Sequence, residues 1–156
     1  MSTEVPWLNA DEERLWRGWL RLNAQLTLRL MRELQEDAGL SQQDFEVLVN
    51  LTDTEEGRVR VSDLAAQMLW ERSRLSHHLT RMERRGMVQR SECAEDGRGA
   101  FIEITPAGRT AIERAAPGHV QAVRRLVFDG LQGEDVETMS GIVGRLLARM
   151  DETPGA

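Results

Sequence analysis

The chain has 156 residues, 40% apolar and 29% charged, with a formal net charge of −6; a chain of this length can bury about 70% of its unfolded surface, enough for one domain, or one domain with a dimerisation appendage, to fold without disulfides or metal. Disorder over most of the length is excluded, no apolar run approaches the roughly 18 residues of a membrane span, and Met1–Ala10 carries acid where a secretory leader would be basic. The single cysteine, Cys93, rules out an intrachain disulfide and suits a reducing cytoplasm, while the acidic total argues against a protein that coats nucleic acid indiscriminately.

In chain order, Asp11–Ala38 predicts one long amphipathic helix, with Leu15, Trp19, Leu22, Leu26, Leu30 and Leu34 at spacings of three and four and Gly39 placed to end it. Ser41 with Asp44 predicts a capping-box start for a shorter helix carrying Phe45, Leu48 and Val49 on its apolar face. Thr52–Gly57 reads as an acidic turn and Arg58–Val61 as a short strand. Ser62 can cap a third helix, Asp63–Met68, and after a turn at Leu69–Glu71 a fourth helix runs over Arg72–Arg85 to Gly86. Met87–Cys93 and Phe101–Thr105 predict a β-hairpin whose polar tip is Ala94–Ala100. Thr105 and Pro106 then supply a hydroxyl cap and a proline at the first helical position. Pro117–Gly118 is expected to kink or break that helix. Val136, Met139, Val143, Leu146 and Met150 form a heptad-like seam near the C-terminus.

The basic charge is concentrated where this pattern is most informative. Met68–Arg90 carries six Arg against two acids, a local +4 that marks an anion-binding face on an otherwise acidic chain. On the fourth helix Leu75, Leu79 and Met82 share one stripe and must face the core. Ser73, His77, Thr80 and Arg84 share the opposite one, with Ser76 on one flank and Arg74 and Arg81 on the other. Arginine can pair bidentately with guanine, and small hydroxyls and histidine fit close to a groove floor. A helix built only for solubility would usually mix Glu among its Arg, yet only Glu71 and Glu83 intervene here, one at each end. At the hairpin tip, Asp96-Gly97-Arg98-Gly99 places one long cation on a flexible loop, suited to the negative potential of a narrow minor groove; a turn in which Arg98 pairs with Glu95 or Asp96 is the alternative.

Helix, turn, Arg-rich helix and hairpin, in this order, describe a winged helix-turn-helix. The stretch Leu64–Gly108 resembles the DNA-binding core of the MarR family of bacterial transcriptional regulators. The resemblance is carried by Asp63-Leu64-Ala65, Ser73-Arg74-Leu75-Ser76, Leu79-Thr80-Arg81-Met82-Glu83-Arg84-Arg85-Gly86, Asp96-Gly97-Arg98 and Thr105-Pro106-Ala107-Gly108. It extends over nearly the whole chain, since the family also has a long first helix and two long C-terminal helices. One residue departs: Leu69 stands where the family often has Gly at the bend, and a left-handed Leu costs about 1 kcal/mol.

The resemblance implies a mainly α fold with a small β-hairpin wing. Residues 1–40 would form an N-terminal dimerisation helix, 41–105 the winged domain and 106–156 C-terminal dimerisation helices. It implies a cytoplasmic homodimer that binds a palindromic operator, as a repressor or less often an activator, with recognition helices in major grooves about 34 Å apart. The C-terminal seam and the apolar stripe of the first helix call for a partner independently, although an intrachain bundle would also cover them. The expected DNA contacts are Ser73, Arg74, Ser76, His77 and Arg81 in the major groove, Arg98 in the minor groove, and Ser62, Arg72 and Arg84 on phosphates. Family members commonly sense small anionic or aromatic molecules or oxidants. Trp16, Trp19, Phe45, His78 and Arg81 are the candidates for such an effector pocket, with dimer core and a buried structural histidine as the plainer roles.

Cys93 lies near the wing base rather than in the N-terminal helix region where oxidant-sensing relatives carry their reactive cysteine. No cofactor and no metal is implied, since His77, His78, Cys93 and His119 lack metal-ligand spacing. An enzyme is excluded: there is no Gly-rich phosphate loop after a strand, no His-Glu-x-x-His and no nucleophile elbow, and the absence of Lys and Tyr removes Schiff-base and phenolic chemistry. The rival from another class is a ligand-binding or protein-interaction dimer that has lost operator recognition.

Overall fold

The computed structural model describes residues 6–92 and 100–152. The hairpin tip, with Cys93 and Arg98, therefore lies outside the described residues. The chain divides into two compact units, residues 1–119 and 120–156.

In the first unit, helix α1 spans Ala10–Ala38. Asn9 accepts from the backbone N–H groups of Asp11 and Glu12, and the Glu12 carboxylate accepts from the Asn9 N–H in return. Gly39 ends the helix at φ +65°, the left-handed cap that glycine adopts at least cost. The expected second capping box is present: Ser41 and Asp44 exchange side-chain to backbone bonds at the start of α2, Gln42–Thr52.

Strand β1, Arg58–Arg60, runs straight into α3, Val61–Gln67. This corrects the expected role of Ser62 as helix cap. Arg60 is extended to pair with Phe101 and so takes the cap position itself, leaving Ser62 inside the first turn with its hydroxyl on Asp63. Helix α4 covers Arg72–Arg84, and β2, Val88–Glu92, and β3, Ala100–Ile104, form the hairpin. The three strands make an antiparallel sheet in the order β1-β3-β2, with Val88 opposite Ile104 and Val59 opposite Ile102. The mainly helical chain with a small β wing is thus what forms.

The core of this unit draws on every element around α4. Leu34 and Leu40 meet Val47, Leu48 and Leu51 of α2, Leu64 of α3, Leu75, Leu79 and Met82 of α4, and Val88 and Ile102 of the sheet. Each such side chain contributes about 1.5–3 kcal/mol of burial, so the inward face of α4 is fixed and its outward face follows.

Helix α5 begins at Pro106, capped by the Thr105 hydroxyl on the Gly108 N–H, and continues without a break to Leu126. The expected break at Pro117 does not occur. Proline removes one N–H donor, but Ile112 and Ala115 are buried one turn earlier and hold the preceding segment. In the second unit a short 3₁₀ turn, Phe128–Gly130, precedes α6, Gly133–Glu152. No residue of α6 is buried, and Val136, Met139, Ile142, Val143, Leu146, Leu147 and Met150 are all exposed. No helix among the described residues is long and apolar enough to cross a membrane.

Candidate nucleic-acid interface

The turn between α3 and α4 sets the angle at which α4 leaves the domain. The Leu69 N–H bonds to the Ala66 carbonyl at 3.1 Å and the Trp70 N–H to the Ala65 carbonyl at 2.9 Å, the paired bonds of a Schellman motif. That motif requires a left-handed residue at the first of these two donors. Leu69 supplies it at φ +53°, the one non-glycine with positive φ among the described residues. The bend keeps its shape and carries the strain of a Cβ in this region. The far end of α4 closes with the same pair of bonds, Gly86 to Glu83 and Met87 to Met82, with glycine at φ +73°.

Between these two turns Leu75, Leu79 and Met82 are fully buried, as their spacing predicts, and Ser73, His77 and Arg84 are exposed. Arg72 and Arg84 pair with no acid among the described residues. Two other predicted contacts are engaged elsewhere. The Arg74 guanidinium lies 4.3 Å from the Trp70 ring centre, a cation–π arrangement. The Arg81 Nη2 lies 2.9 Å from His78 Nδ1. Ser76 and Thr80 stand on the flank that faces β2. There the Arg90 Nη2 donates to the Ser76 carbonyl at 2.9 Å and reaches Thr80 Oγ1 at 3.2 Å and Ser76 Oγ at 3.3 Å. Thr80 Oγ1 itself donates to the same carbonyl at 3.0 Å, and the Arg90 N–H bonds to Glu83 Oε1 at 3.2 Å.

The opposite flank of α4 meets α2 through a buried acid. Asp44 is 2% exposed, and its Oδ2 accepts from Arg85 Nη1 at 2.6 Å and from the Ser41 N–H. Its Oδ1 lies 3.1 Å from His78 Nε2, near enough for an ion pair but without the alignment of a hydrogen bond. Burial by itself raises the Asp44 pKa. His78, Arg85 and Ser41 together outweigh it and hold the carboxyl well below the usual carboxylate range.

Around these groups opens a cavity of about 600 Å³, lined by Gln35, Ser41, Gln43, Trp70, Arg74, His78, Arg81 and Arg85 among others. Of the five residues expected to line an effector pocket it brings together His78 and Arg81. Trp16 and Trp19 are exposed on α1, and Phe45 packs against His119 with ring centres 4.5 Å apart. Sequence reasoning missed Asp44 as a charge hub, Trp70 as the platform under Arg74, and Arg90. Only Arg90 left a signal: as the second residue after Val88 in a strand, it shares that residue's inward face. Among the described residues no group of His, Cys, Asp and Glu could hold a metal ion.

Residues 40–99, which hold α2, β1, the helix-turn-helix and β2, match the MarR family model. The whole structure is similar to AbsC, a MarR family transcriptional regulator from Streptomyces coelicolor, with a TM-score of 0.90 and 38% identity over 96% of this chain and 100% of that one. The chain belongs to the MarR family. A second MarR family regulator from the same organism, Sco3205, solved in complex with DNA, is 39% identical with a TM-score of 0.88, covering 94% of this chain and 91% of that one. The HTH-type transcriptional repressor YetL of Bacillus subtilis is 28% identical over 112 residues, 72% of this chain. The match spans 66% of that repressor, just under two thirds of its length. MarR family members are transcriptional regulators and not enzymes, as the sequence led us to expect.

Proposed function

We propose that this MarR-family chain binds a palindromic operator as a homodimer in the cytoplasm and represses, or less often activates, the adjoining gene. The observation that carries the reading is the outward face of α4. Ser73, His77, Arg72 and Arg84 are exposed on a helix whose other side is locked into the core, so a set of hydroxyl, imidazole and guanidinium groups is presented in fixed register to a groove. Arg74 and Arg81 join this set from the flank, Ser62 and the wing's Arg98 extend it on sequence grounds, and Ser76 adjoins it beneath the Arg90 guanidinium. Sco3205, at 39% identity, is a family member solved on DNA. The exposed apolar residues of α1 and α6 support a dimer built from residues 1–40 and 106–156. The 41–105 segment then carries recognition.

The cavity beside α4 supports release by a small anionic or aromatic effector. Its volume falls within the range of ligand sites, and three Arg, a histidine and the Trp70 ring suit such a molecule. Occupancy there would reach Arg74 and Arg81 directly.

The test is fluorescence anisotropy of a labelled duplex from immediately upstream of the protein's own gene, at about physiological salt with random duplex as competitor. Nanomolar binding of one dimer per duplex that survives the competitor is the expected result. Binding abolished by random duplex at this site and at every site recovered by genome-wide selection would overturn operator recognition and leave the ligand-binding dimer as the reading.

A further inference from the structure

We propose that Arg90, on the wing strand β2, is a phosphate-binding residue at the junction of recognition helix and wing, and that Ser76 and Thr80 serve to hold its guanidinium rather than to read bases. The inference rests on the reading that α4 lies in a major groove. A recognition helix in one groove and a wing tip directed at the adjacent minor groove must straddle the sugar–phosphate strand between them. Whatever stands between α4 and β2 faces that strand, and Arg90 stands there.

Its geometry fits a cation prepared in advance. Val88, two residues earlier on the same face, is buried in the core, whereas Arg90, opposite the buried Ile102, is itself exposed. Only Nη2 is spent on the protein, on the Ser76 carbonyl and the two hydroxyls at 2.9–3.3 Å. Among the described residues Nη1 and Nε have no acceptor, so the guanidinium is anchored at one nitrogen and free at the others. All three of its acceptors are neutral. Glu83, whose Oε1 accepts from the Arg90 backbone N–H at 3.2 Å, makes no ion pair with the guanidinium. Among the described residues nothing neutralises the positive charge fixed in place there, which suits a phosphate contact. The Ser76 hydroxyl, covered by Arg90, is then a support for a charge-assisted bond and contributes nothing to base choice.

The test compares wild-type protein with Arg90→Ala, Arg90→Lys and Ser76→Ala on the upstream duplex and on random duplex, each at four or more salt concentrations. Arg90→Ala should weaken both duplexes by the same factor, about five- to tenfold, and lower the magnitude of the log K against log salt slope by about 0.9 per Arg90 contact, while Arg90→Lys keeps the slope. Ser76→Ala should leave the preference for upstream over random duplex unchanged. A slope unaltered in Arg90→Ala, or a loss confined to the upstream duplex, overturns the proposal. So does tighter binding by Arg90→Ala, the sign of a side chain that merely covers the helix. If the wild type fails to distinguish the two duplexes, the upstream site is not the operator, and the slope on random duplex still decides Arg90. Arg90→Lys, which keeps the charge and the aliphatic stem, guards against a loss caused by misfolding alone.

Discussion

Arg85 and Asp44 are 41 residues apart in the chain and 2.6 Å apart in the fold, joining the end of α4 to the first turn of α2. The acid is buried, so removing it strands Arg85 and His78 and also deletes half of a capping box. Asp44→Ala should cost about 3 kcal/mol, near the lower end for a broken buried pair because Arg85 reaches water. Urea unfolding at pH 7 measures it, and a loss below about 1 kcal/mol would show that the pair does not hold the helix.

The same carboxylate makes stability depend on acid. Its folded pKa lies below its unfolded value, so its contribution is complete above about pH 4 and is lost as pH falls through the depressed folded value. Between pH 5 and pH 3 the wild type should therefore lose more unfolding free energy than Asp44→Asn. Parallel curves would contradict this assignment. The comparison belongs below pH 5, because His119, lowered by burial, loses its own contribution as pH falls from the neutral range.

Leu69 is 92% exposed and left-handed, so its side chain buries nothing and its Cβ is strained. Leu69→Gly removes about 1–2 kcal/mol of strain and adds somewhat less in unfolded-chain entropy, a net gain of about 0.5–1 kcal/mol. Thermal unfolding should shift upward by about 2 °C. A fall in melting temperature would mean that the leucine is contributing a contact absent from this turn.

Gly108 has no room for a side chain. A Cβ there would run into the Met87 carbonyl oxygen, which already accepts from the Thr105 N–H at 3.1 Å. Gly108→Ala should destabilise by about 2 kcal/mol through displacement of α5 from the start of the hairpin. Gly144→Ala, in open space on α6, is the matched control and should be neutral or slightly stabilising.

The proposed dimer has a direct mutational test. Leu146 and Leu147 are exposed on α6, and an apolar face of this kind needs a covering surface. Leu146→Asp should convert a dimer into a monomer by sedimentation velocity at micromolar concentration, with operator affinity reduced at least tenfold. An unchanged dimer would place the interface elsewhere.

Local rules make much of this protein legible in its sequence alone. Apolar spacing, the Ser41–Asp44 capping box, Gly39, Gly86 and Thr105–Pro106 mark the helices and their ends, because caps and amphipathic periodicity act within one or two turns. The stripe of Leu75, Leu79 and Met82 tells which side of α4 faces outward for the same reason. Ser62 falls inside α3 instead of capping it because the pairing of Arg60 with Phe101, a contact distant in sequence, shifts the helix start. Pro117 fails to break α5 because burial of the preceding turn outweighs a local propensity. Asp44 with Arg85 and His78, Trp70 beneath Arg74, and Arg90 across Ser76 and Thr80 depend on how helices and sheet stack. Hydrogen bonds and ion pairs reach only about 3 Å, and which charges come that close is decided by the packing of the hydrophobic core, not by spacing along the chain.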